Sequence, residues 1–294
     1  MKKLLTLFII SITIISCSSF GNKNIHVPTS EEVLNAVETD NTMLLNNFFA
    51  SDFPVAYKNK DGKSLLIVAL ENDSQKVLDM LLVRGVDLEE TFEEGKTPIF
   101  YVRSLNALEQ MVKAGADINK KNSSEKTLLS YFIENKPLSY SKYITEHGAD
   151  VNAVEESGWT PVFRAAVGKD TSLIDAMKNS GGDFNKQDLK GNFPIYYARD
   201  EKILLKLLDH TNYNLNAENK NGENILGEVY LRAVSHNYIS VIEKLLEIGV
   251  NPNYMSYGDS ALSIAKDNRN ESMIKFLVIL LLFILFLLNL KILS

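Results

Sequence analysis

The residue types that most often ligate metals or act as nucleophiles are few in this chain of 294 residues. There is one cysteine, and the four histidines are widely separated, at His26, His147, His210 and His236. A metal site needs clustered ligands, and a nucleophile needs a base beside it. The sequence contains no glycine-rich phosphate loop, no His-Glu-x-x-His helix and no Gly-x-Ser-x-Gly elbow. We therefore expect no enzyme activity, no metal and no cofactor.

Paired glutamates and two aromatic residues are the remaining side chains with functional potential. Each lies in a segment that the sequence predicts to be a turn. Solvated loop charge and packing between turns are the ordinary interpretations, because isolated surface charges contribute little. The alternative is that an acidic ridge and a half-exposed tryptophan contact a partner, since tryptophan is a preferred anchor at interfaces. The candidate partner-binding residues are Trp159, Glu93, Glu94, Glu155, Glu156 and Tyr257.

A pentapeptide of the form Gly-Ala-Asp-x-Asn recurs along the chain and indicates the elements that carry these residues. Clear copies occupy residues 115–119 and 148–152, and residues 181–185 form a third copy with glycine in place of alanine. The interval between the final asparagines is 33 residues each time. A repeat of this length predicts stacked structural units, each too small to bury its own apolar face.

A second recurring signal marks where helices begin. Thr97-Pro98 and Thr160-Pro161 each follow a glycine by two positions. Proline is tolerated at the first helical position and threonine can cap the free N–H groups, so Thr-Pro predicts a helix start. Glycine in the pentapeptide predicts the end of a second helix. Helical spacing of apolar residues places two of these pairs at 64–71 with 74–84, and at 160–168 with 171–179.

These residues closely resemble the ankyrin repeat. Ser157 to Ala166 matches the front half of that pattern, and Val112 to Asn119 matches the back half. The resemblance implies an all-α solenoid of stacked helix-turn-helix units over residues 31–275, with seven or eight repeats of which the first is degenerate. It also implies that a concave face, formed by the inter-repeat fingers and the first helices, binds proteins as adaptors or inhibitors do.

One internal match has a period three times as long. Pro98 to Arg103 (Pro-Ile-Phe-Tyr-Val-Arg) precedes Pro194 to Arg199 (Pro-Ile-Tyr-Tyr-Ala-Arg) by 96 residues. Both copies are shorter than the others. We expect a tighter connection between their helices.

The amino terminus has the layout of a secretory signal peptide. A basic start is followed by an apolar run, and Ser16 precedes Cys17, the chain's only cysteine. This layout favours a lipoprotein signal at 1–16, lipidation of Cys17 and a flexible tether at 17–30; a plain signal peptide or an uncleaved anchor is the alternative. Removing the signal would change the net charge from −6 to −8. Such an acidic body argues against nucleic acid as a partner.

The carboxy terminus is apolar in a way that the repeats are not. Residues 276–288 form an unbroken apolar run that continues to 293 with only two polar interruptions. A helix of about 18 residues is roughly 27 Å long, close to the thickness of a hydrocarbon core. Residues 276–293 are therefore a candidate transmembrane helix that continues from the last repeat. An altered terminus that happens to be apolar is the alternative.

The function that the sequence favours is a protein–protein interaction module, an adaptor or inhibitor, on the outer face of a bacterial membrane. We expect a monomer, attached through the Cys17 lipid, the C-terminal helix or both, that binds a protein of unknown identity. The alternative is a structural envelope lipoprotein that acts as a spacer without a specific ligand.

Overall fold

Eight consecutive helical pairs make up the part of the chain that the structure describes. The computed structural model describes residues 28–293, and their side chains over 28–282. The pairs are α1 (Ser30–Glu38) with α2 (Thr42–Ala50), α3 (Leu65–Asn72) with α4 (Gln75–Val83), the 3₁₀ turn Pro98–Tyr101 with α5 (Leu105–Lys113), α6 (Leu128–Asn135) with α7 (Leu138–Glu146), α8 (Pro161–Val167) with α9 (Thr171–Asn179), α10 (Pro194–Tyr197) with α11 (Glu201–His210), α12 (Ile225–Ser235) with α13 (Ile239–Glu247), and α14 (Ala261–Asp267) with α15 (Glu271–Leu293). The helical pairs predicted from the sequence agree with these bounds to within one residue.

The pairs stack in two layers. First helices pack on first helices, as α6 does on α8 and α10 on α12, and second helices pack on second helices, as α7 does on α9. Large apolar side chains fill the space between the layers, with Phe132, Phe163 and Tyr230 fully buried. Each unit therefore depends on its neighbours for burial, which is the energetic basis of a solenoid.

The pentapeptide joins each unit to the next. Gly115 ends α5 with a φ of +93°, a conformation that glycine adopts without a Cβ penalty. The carboxylate of Asp117 accepts the Asn119 backbone N–H at 2.8 Å. The Asn119 side chain then reaches the following copy, donating to the Gly148 carbonyl at 3.3 Å and accepting the Asp150 N–H at 2.8 Å. Asn152 makes the same two bonds to Gly181 and Asp183, at 2.9 and 2.8 Å.

The two copies that match at 96 residues have truncated first helices. The turn Pro98–Tyr101 and helix α10 each contain four residues, where the other first helices contain seven to eleven. The sequence predicted a tighter connection between the helices of these pairs. The structure places the shortening in the first helix itself, because backbone turns away at Val102 and Ala198 before a second helical turn forms.

Side chains of the following repeat donate to backbone carbonyls in or just after the truncated helices. Lys136 donates to the Val102 carbonyl and Tyr140 to the Arg103 carbonyl, both at 2.7 Å. Ninety-six residues after Lys136, Arg232 donates to the Ile195 carbonyl at 3.3 Å. Tyr238 likewise donates to the Arg199 carbonyl at 3.0 Å. The acceptors of the two tyrosines, Arg103 and Arg199, correspond at 96 residues, whereas the two cations bind carbonyls at different positions of the match, Val102 and Ile195.

The N-terminal end of the array begins inside the segment predicted to be a tether. Thr29 and Glu32 form a capping box, with the Thr29 N–H donating to the Glu32 carboxylate at 2.8 Å, so helix α1 starts at Ser30. Residues 29 and 30 therefore belong to the first helix. The predicted signal peptide at 1–16, Cys17 and the tether up to residue 27 lie outside the described residues.

The last helix, α15, continues from the final repeat as the sequence predicted, without an intervening glycine. Side chains beyond residue 282 lie outside the described part, and most of the candidate membrane span at 276–293 falls there. Among the described residues, no helix has the length and apolar character that crossing a membrane requires.

Candidate binding surface

Successive helical pairs are joined by loops, the fingers, which lie beside the first helices. We define the inner face as the surface formed by the fingers and the first helices. Four fingers are stabilised in the same way. An Asn or Asp, three residues before the finger glycine or before Glu125 in the finger that lacks one, accepts two backbone N–H groups with one side-chain oxygen. These residues are Asn59, Asn122, Asp188 and Asn219, with N···O distances between 2.9 and 3.2 Å.

Glu155 occupies the corresponding position in the middle of the array and behaves differently. Its side chain is one methylene longer, and within the described residues it makes no hydrogen bond to the finger backbone. Glu155 is buried and pairs with Arg164 of helix α8 at 2.6 Å. The sequence treated Glu155 as an exposed turn carboxylate. The structure corrects this, because a buried carboxylate needs a charged partner and Arg164 supplies it.

Trp159 lies one residue after the glycine of the same finger and is half-buried. Its indole N–H donates to the Asp188 carboxylate of the next finger at 3.2 Å. The indole ring contacts the Tyr197 ring, with centroids 4.9 Å apart, and the guanidinium of Arg164 lies 5.0 Å from its centroid. Trp159 therefore connects two fingers by packing, as the ordinary interpretation predicted, while part of its surface stays accessible.

A network of tyrosines, carboxylates and amides continues from Trp159 towards the C-terminal repeats. The Tyr197 hydroxyl donates to Asp188 at 2.5 Å and accepts from the Asn192 amide at 3.1 Å. Asn219 of the next finger donates to the Asn192 side chain at 3.0 Å. Asn219 also donates to the carboxylate of Glu223 at 2.7 Å.

Glu223 gathers hydroxyl donors from two further repeats. Tyr257 donates to its second carboxylate oxygen at 2.7 Å, and Tyr196 donates at 3.4 Å. The Asn219 amide, and after it the Tyr257 hydroxyl, hold the pKa of Glu223 below its usual value. The bond to Glu223 in turn raises the pKa of the Tyr257 phenol. Glu223 is therefore a charged carboxylate among neutral donors at neutral pH.

The N-terminal half of the inner face has a different chemistry. Lysines follow the finger turns, and each pairs with a glutamate: Lys63 with Glu71 at 2.7 Å, Lys96 with Glu94 at 2.7 Å, and Lys126 with Glu134 at 2.5 Å. Two of these ammonium groups also lie over rings, Lys63 at 5.8 Å from the Phe92 centroid and Lys96 at 5.2 Å from that of Tyr131. These three lysine charges are compensated within the chain.

Comparison with solved structures identifies the architecture. The chain is similar to the crystal structure of the ankyrin repeat domain of Bcl-3, described as a unique member of the IkappaB protein family, with a TM-score of 0.61 at 20% identity. The match covers 72% of this chain and 97% of that one. The fold is that of ankyrin repeats.

Curated proteins with sequence similarity agree with this architecture. An ankyrin repeat protein of fowlpox virus (strain NVSL) is 24% identical over 66% of this chain and 64% of its own length. The B-cell lymphoma 3 protein homolog of Mus musculus is 26% identical over 50% of this chain and 34% of its own length. The chain thus spans less than two thirds of these relatives. No family model matches the sequence.

The other candidate residues occupy different places on the ankyrin fingers. Glu93, Glu94 and Glu156 are exposed, and Glu94 pairs with Lys96, which holds the pKa of that carboxyl below its usual value. Tyr257 lies at the turn of a hairpin between β1 (Met255–Ser256) and β2 (Asp259–Ser260) and is 86% exposed. The structure brings Trp159 into one network with Tyr257, whereas Glu93 and Glu94 lie in the N-terminal half.

Sequence reasoning missed Asp188, Asn192 and Glu223 as members of the surface. Their positions relative to the finger glycines carry a signal: Asp188 stands three residues before Gly191, as Asn59 stands before Gly62. Aligning these positions across the repeats separates turn-forming side chains from surface side chains.

The three histidines that the structure describes, His147, His210 and His236, do not form a cluster; His26 lies outside the described residues. His147 interacts with the Tyr143 carbonyl at 2.7 Å, and His210 with the Asp175 carboxylate at 2.7 Å. Over the residues that the structure describes, no group of three His, Cys, Asp or Glu side chains could hold a metal ion.

Proposed function

We propose that this protein is an interaction module that binds another protein through the inner face of its ankyrin repeats. The observation that supports this most directly is the network from Trp159 to Tyr257, which crosses four fingers and combines aromatic surface with fixed polar groups. Interface hot spots favour Trp, Tyr and Arg in such settings. The rings are held in place by hydrogen bonds, so little conformational entropy is lost when a partner binds.

The role of adaptor or inhibitor at a bacterial cell envelope belongs to the same proposal. It is supported by the sequence: the signal-like start, the single cysteine at position 17 and the apolar run from 276. A lipid on Cys17 would tether the array, with or without the C-terminal helix. Metabolic labelling with an alkyne palmitate analogue tests this, and equal labelling of wild type and Cys17→Ser would contradict lipidation at that position.

Site-specific photo-crosslinking in intact cells tests binding by the inner face. A benzophenone amino acid at Tyr257, which is 86% exposed, should capture one partner repeatedly. The matched control is Val83, which is 88% exposed on helix α4, outside the inner face. Capture from position 83 alone would contradict the proposal. Capture of no protein from either position would favour the spacer function instead.

Trp159→Phe is a second test of the same surface. Phenylalanine keeps most of the packing against Tyr197 but loses the N–H bond to Asp188 and the larger ring. Affinity for the captured partner should fall by about tenfold, in the range of one interface hot spot. Unchanged affinity in a folded variant would remove Trp159 from the binding surface.

A further inference from the structure

The position directly after each finger glycine, or after Glu125 in the one finger without it, shows a change in chemistry along the inner face. In the N-terminal half this position is lysine in three successive repeats, and in the C-terminal half it is not. The residues in chain order are Lys63, Lys96, Lys126, Trp159, Asn192, Glu223 and Asp259. Because the two halves match at 96 or 97 residues, Lys63 corresponds to Trp159, Lys96 to Asn192 and Lys126 to Glu223.

In the N-terminal half these lysines show how a cation binds on this surface. Lys96 pairs with Glu94 at 2.7 Å while its ammonium lies 5.2 Å from the ring centroid of Tyr131. Lys63 combines a glutamate and a ring in the same way. A carboxylate and an aromatic face together form a favourable site for an ammonium or guanidinium group.

The C-terminal half has the carboxylates and the rings without these cations. Glu228 accepts from the Tyr254 hydroxyl at 2.9 Å, Glu223 from Asn219, Tyr196 and Tyr257, and Asp188 from backbone N–H groups, Trp159 and Tyr197. Every one of these donors is neutral. Within the described part of the chain, no ion pair reaches these three carboxylates.

Two arginines near Tyr196, Arg199 and Arg232, donate to backbone carbonyls. Arg232 lies 5.9 Å from the Tyr196 centroid, and its guanidinium donates to the Ile195 carbonyl. Burial, and after it the charge of Arg199, lowers the pKa of Arg232 to about 10. A guanidinium with this pKa is still charged at neutral pH, so Arg232 offsets part of the charge of Glu228, with which it interacts. Within the described residues, Glu223 and Asp188 have no ion pair.

We propose that Tyr196, Tyr197, Tyr254 and Tyr257, with the carboxylates beneath them, bind a basic segment of a partner protein. The partner's arginine or lysine side chains take the place that Lys63, Lys96 and Lys126 take in the N-terminal half. This inference rests on the proposed function and adds the chemical class of the partner. Multiple aromatic faces favour arginine over lysine, because the planar guanidinium stacks on rings while it pairs with carboxylates.

Fluorescence anisotropy with the full chain and synthetic peptides tests this inference. The probe is a fluorescein-labelled peptide of twelve residues with four arginines spaced by Gly-Ser, and the matched probe carries citrulline in place of arginine. The arginine peptide should bind wild type at least tenfold more tightly than the citrulline peptide. Glu223→Gln combined with Glu228→Gln should weaken binding of the arginine peptide at least tenfold.

A variant of equal charge provides the control. Glu93→Gln with Glu125→Gln removes two charges from exposed positions in the N-terminal half, and binding should change less than twofold. Equal weakening by both double variants would show unspecific attraction to an acidic protein and would overturn the inference. Tyr257→Ser removes an exposed ring without changing charge and should weaken binding about threefold to tenfold.

The proposed function can survive failure of this inference, and the two failures differ. If crosslinking from position 257 captures a partner whose crosslinked segment is neutral or acidic, the inner face binds proteins but the partner class is wrong. If the arginine peptide fails to bind, the inference falls, whatever position 257 captures. Absence of capture from position 257 argues against the proposed function itself.

Discussion

The two halves of the array share a backbone plan and differ in how they treat charge. In the N-terminal half Asn59 stabilises its finger through backbone N–H groups, and the corresponding helix position is Val68, which is buried. Ninety-six residues later the same positions are Glu155 and Arg164, which form a buried ion pair. The finger geometry is retained by both solutions, so the backbone turn tolerates either chemistry.

The difference between the halves shows which side chains the fold requires and which it allows to vary. Groups that satisfy backbone atoms recur in both halves, as Lys136 and Arg232 do. Side chains on the fingers and first helices differ between the halves. The N-terminal half has lysines in ion pairs, and the C-terminal half has tyrosines and carboxylates that form no ion pair among the described residues. A surface that varies on a constant scaffold is what a binding module requires.

Breaking the central ion pair should have the largest effect. Arg164→Met leaves Glu155 buried without a cation, and we expect a loss of about 3 kcal/mol in the free energy of unfolding. Urea unfolding followed by the fluorescence of Trp159, the only tryptophan, measures it.

The control introduces, at these two positions, the residues that the N-terminal half has at the corresponding positions. Glu155→Asn combined with Arg164→Val should recover most of the loss, because this double variant carries the same asparagine and valine that the N-terminal half has at Asn59 and Val68. A double variant as unstable as Arg164→Met would mean that the halves are not interchangeable at these positions.

Substitution of the corresponding finger glycines of the two halves, Gly95 and Gly191, should destabilise the protein equally. A Cβ at Gly95 would lie 2.9 Å from the Ser123 backbone nitrogen, and one at Gly191 would lie 3.1 Å from that of Lys220. Both also have positive φ, so alanine at either position should destabilise by about 2 kcal/mol. Gly222→Ala shares the positive φ but has open space around it, and should cost about half as much. Thermal unfolding by circular dichroism measures these differences, and equal losses at all three glycines would exclude the steric contribution.

Removing Lys136 or Arg232, which donate to backbone carbonyls of the two truncated repeats, should have a smaller effect. Lys136→Met leaves the Val102 carbonyl without its donor and should cost about 1 kcal/mol. Arg232→Met should cost less, because the Ile195 carbonyl still accepts the Ala198 N–H at 3.3 Å. Lys202→Met, at an exposed position on helix α11, is the control and should be neutral within experimental error. Hydrogen exchange at residues 102–104 and 198–200 locates the effect, and protection that stays unchanged there would contradict this role for the two cations.

The smallest expected effect is on alkaline stability. Burial, with nearby carboxylates, raises the pKa of Tyr101 and of Tyr197 to about 12, whereas an unfolded tyrosine has a pKa of about 10. Because the folded pKa is the higher one, this contribution to stability is complete below pH 10 and declines as the pH rises towards 12.

Tyrosine-to-phenylalanine variants can resolve this effect in each half separately. Tyr101→Phe and Tyr197→Phe should each lose less stability than wild type between pH 9 and pH 11, as measured by urea midpoints. A pH dependence identical to wild type in both variants would show that neither phenol contributes.

The fold could be predicted from the sequence because its signals are local and repeated. The glycine that ends most second helices, the Thr-Pro that starts two first helices and the regular interval together determine the units. The buried state of Glu155 was not predicted, since a glutamate followed by Glu156 and Ser157 in a predicted turn is normally a surface residue. Its burial depends on Arg164 and on the neighbouring fingers.

Contacts across repeats explain the other differences between expectation and structure. The hydrogen bonds from Lys136 to the Val102 carbonyl and from Arg232 to the Ile195 carbonyl join residues 34 and 37 positions apart, and no local sequence pattern predicts them. The sequence showed that both units are short, since Pro98–Tyr101 and Pro194–Tyr197 match at three of four positions, but it placed the shortening in the connection between the helices. Trp159 was correctly placed between turns, but its connection to Tyr257 passes through residues whose types alone carry no distinctive signal.

The pentapeptide asparagines bond to the repeat that follows them in the sequence, so the order of synthesis decides when these hydrogen bonds can form. Asn119 and Asn152 complete their hydrogen bonds with groups that leave the ribosome about 30 residues later. During synthesis, the asparagine at each of these two joints therefore lacks these hydrogen bonds until the following repeat has emerged. Synthesis from the N-terminus can thus close the repeats one after another, and a polypeptide that stops early carries an open end that a chaperone or protease could recognise.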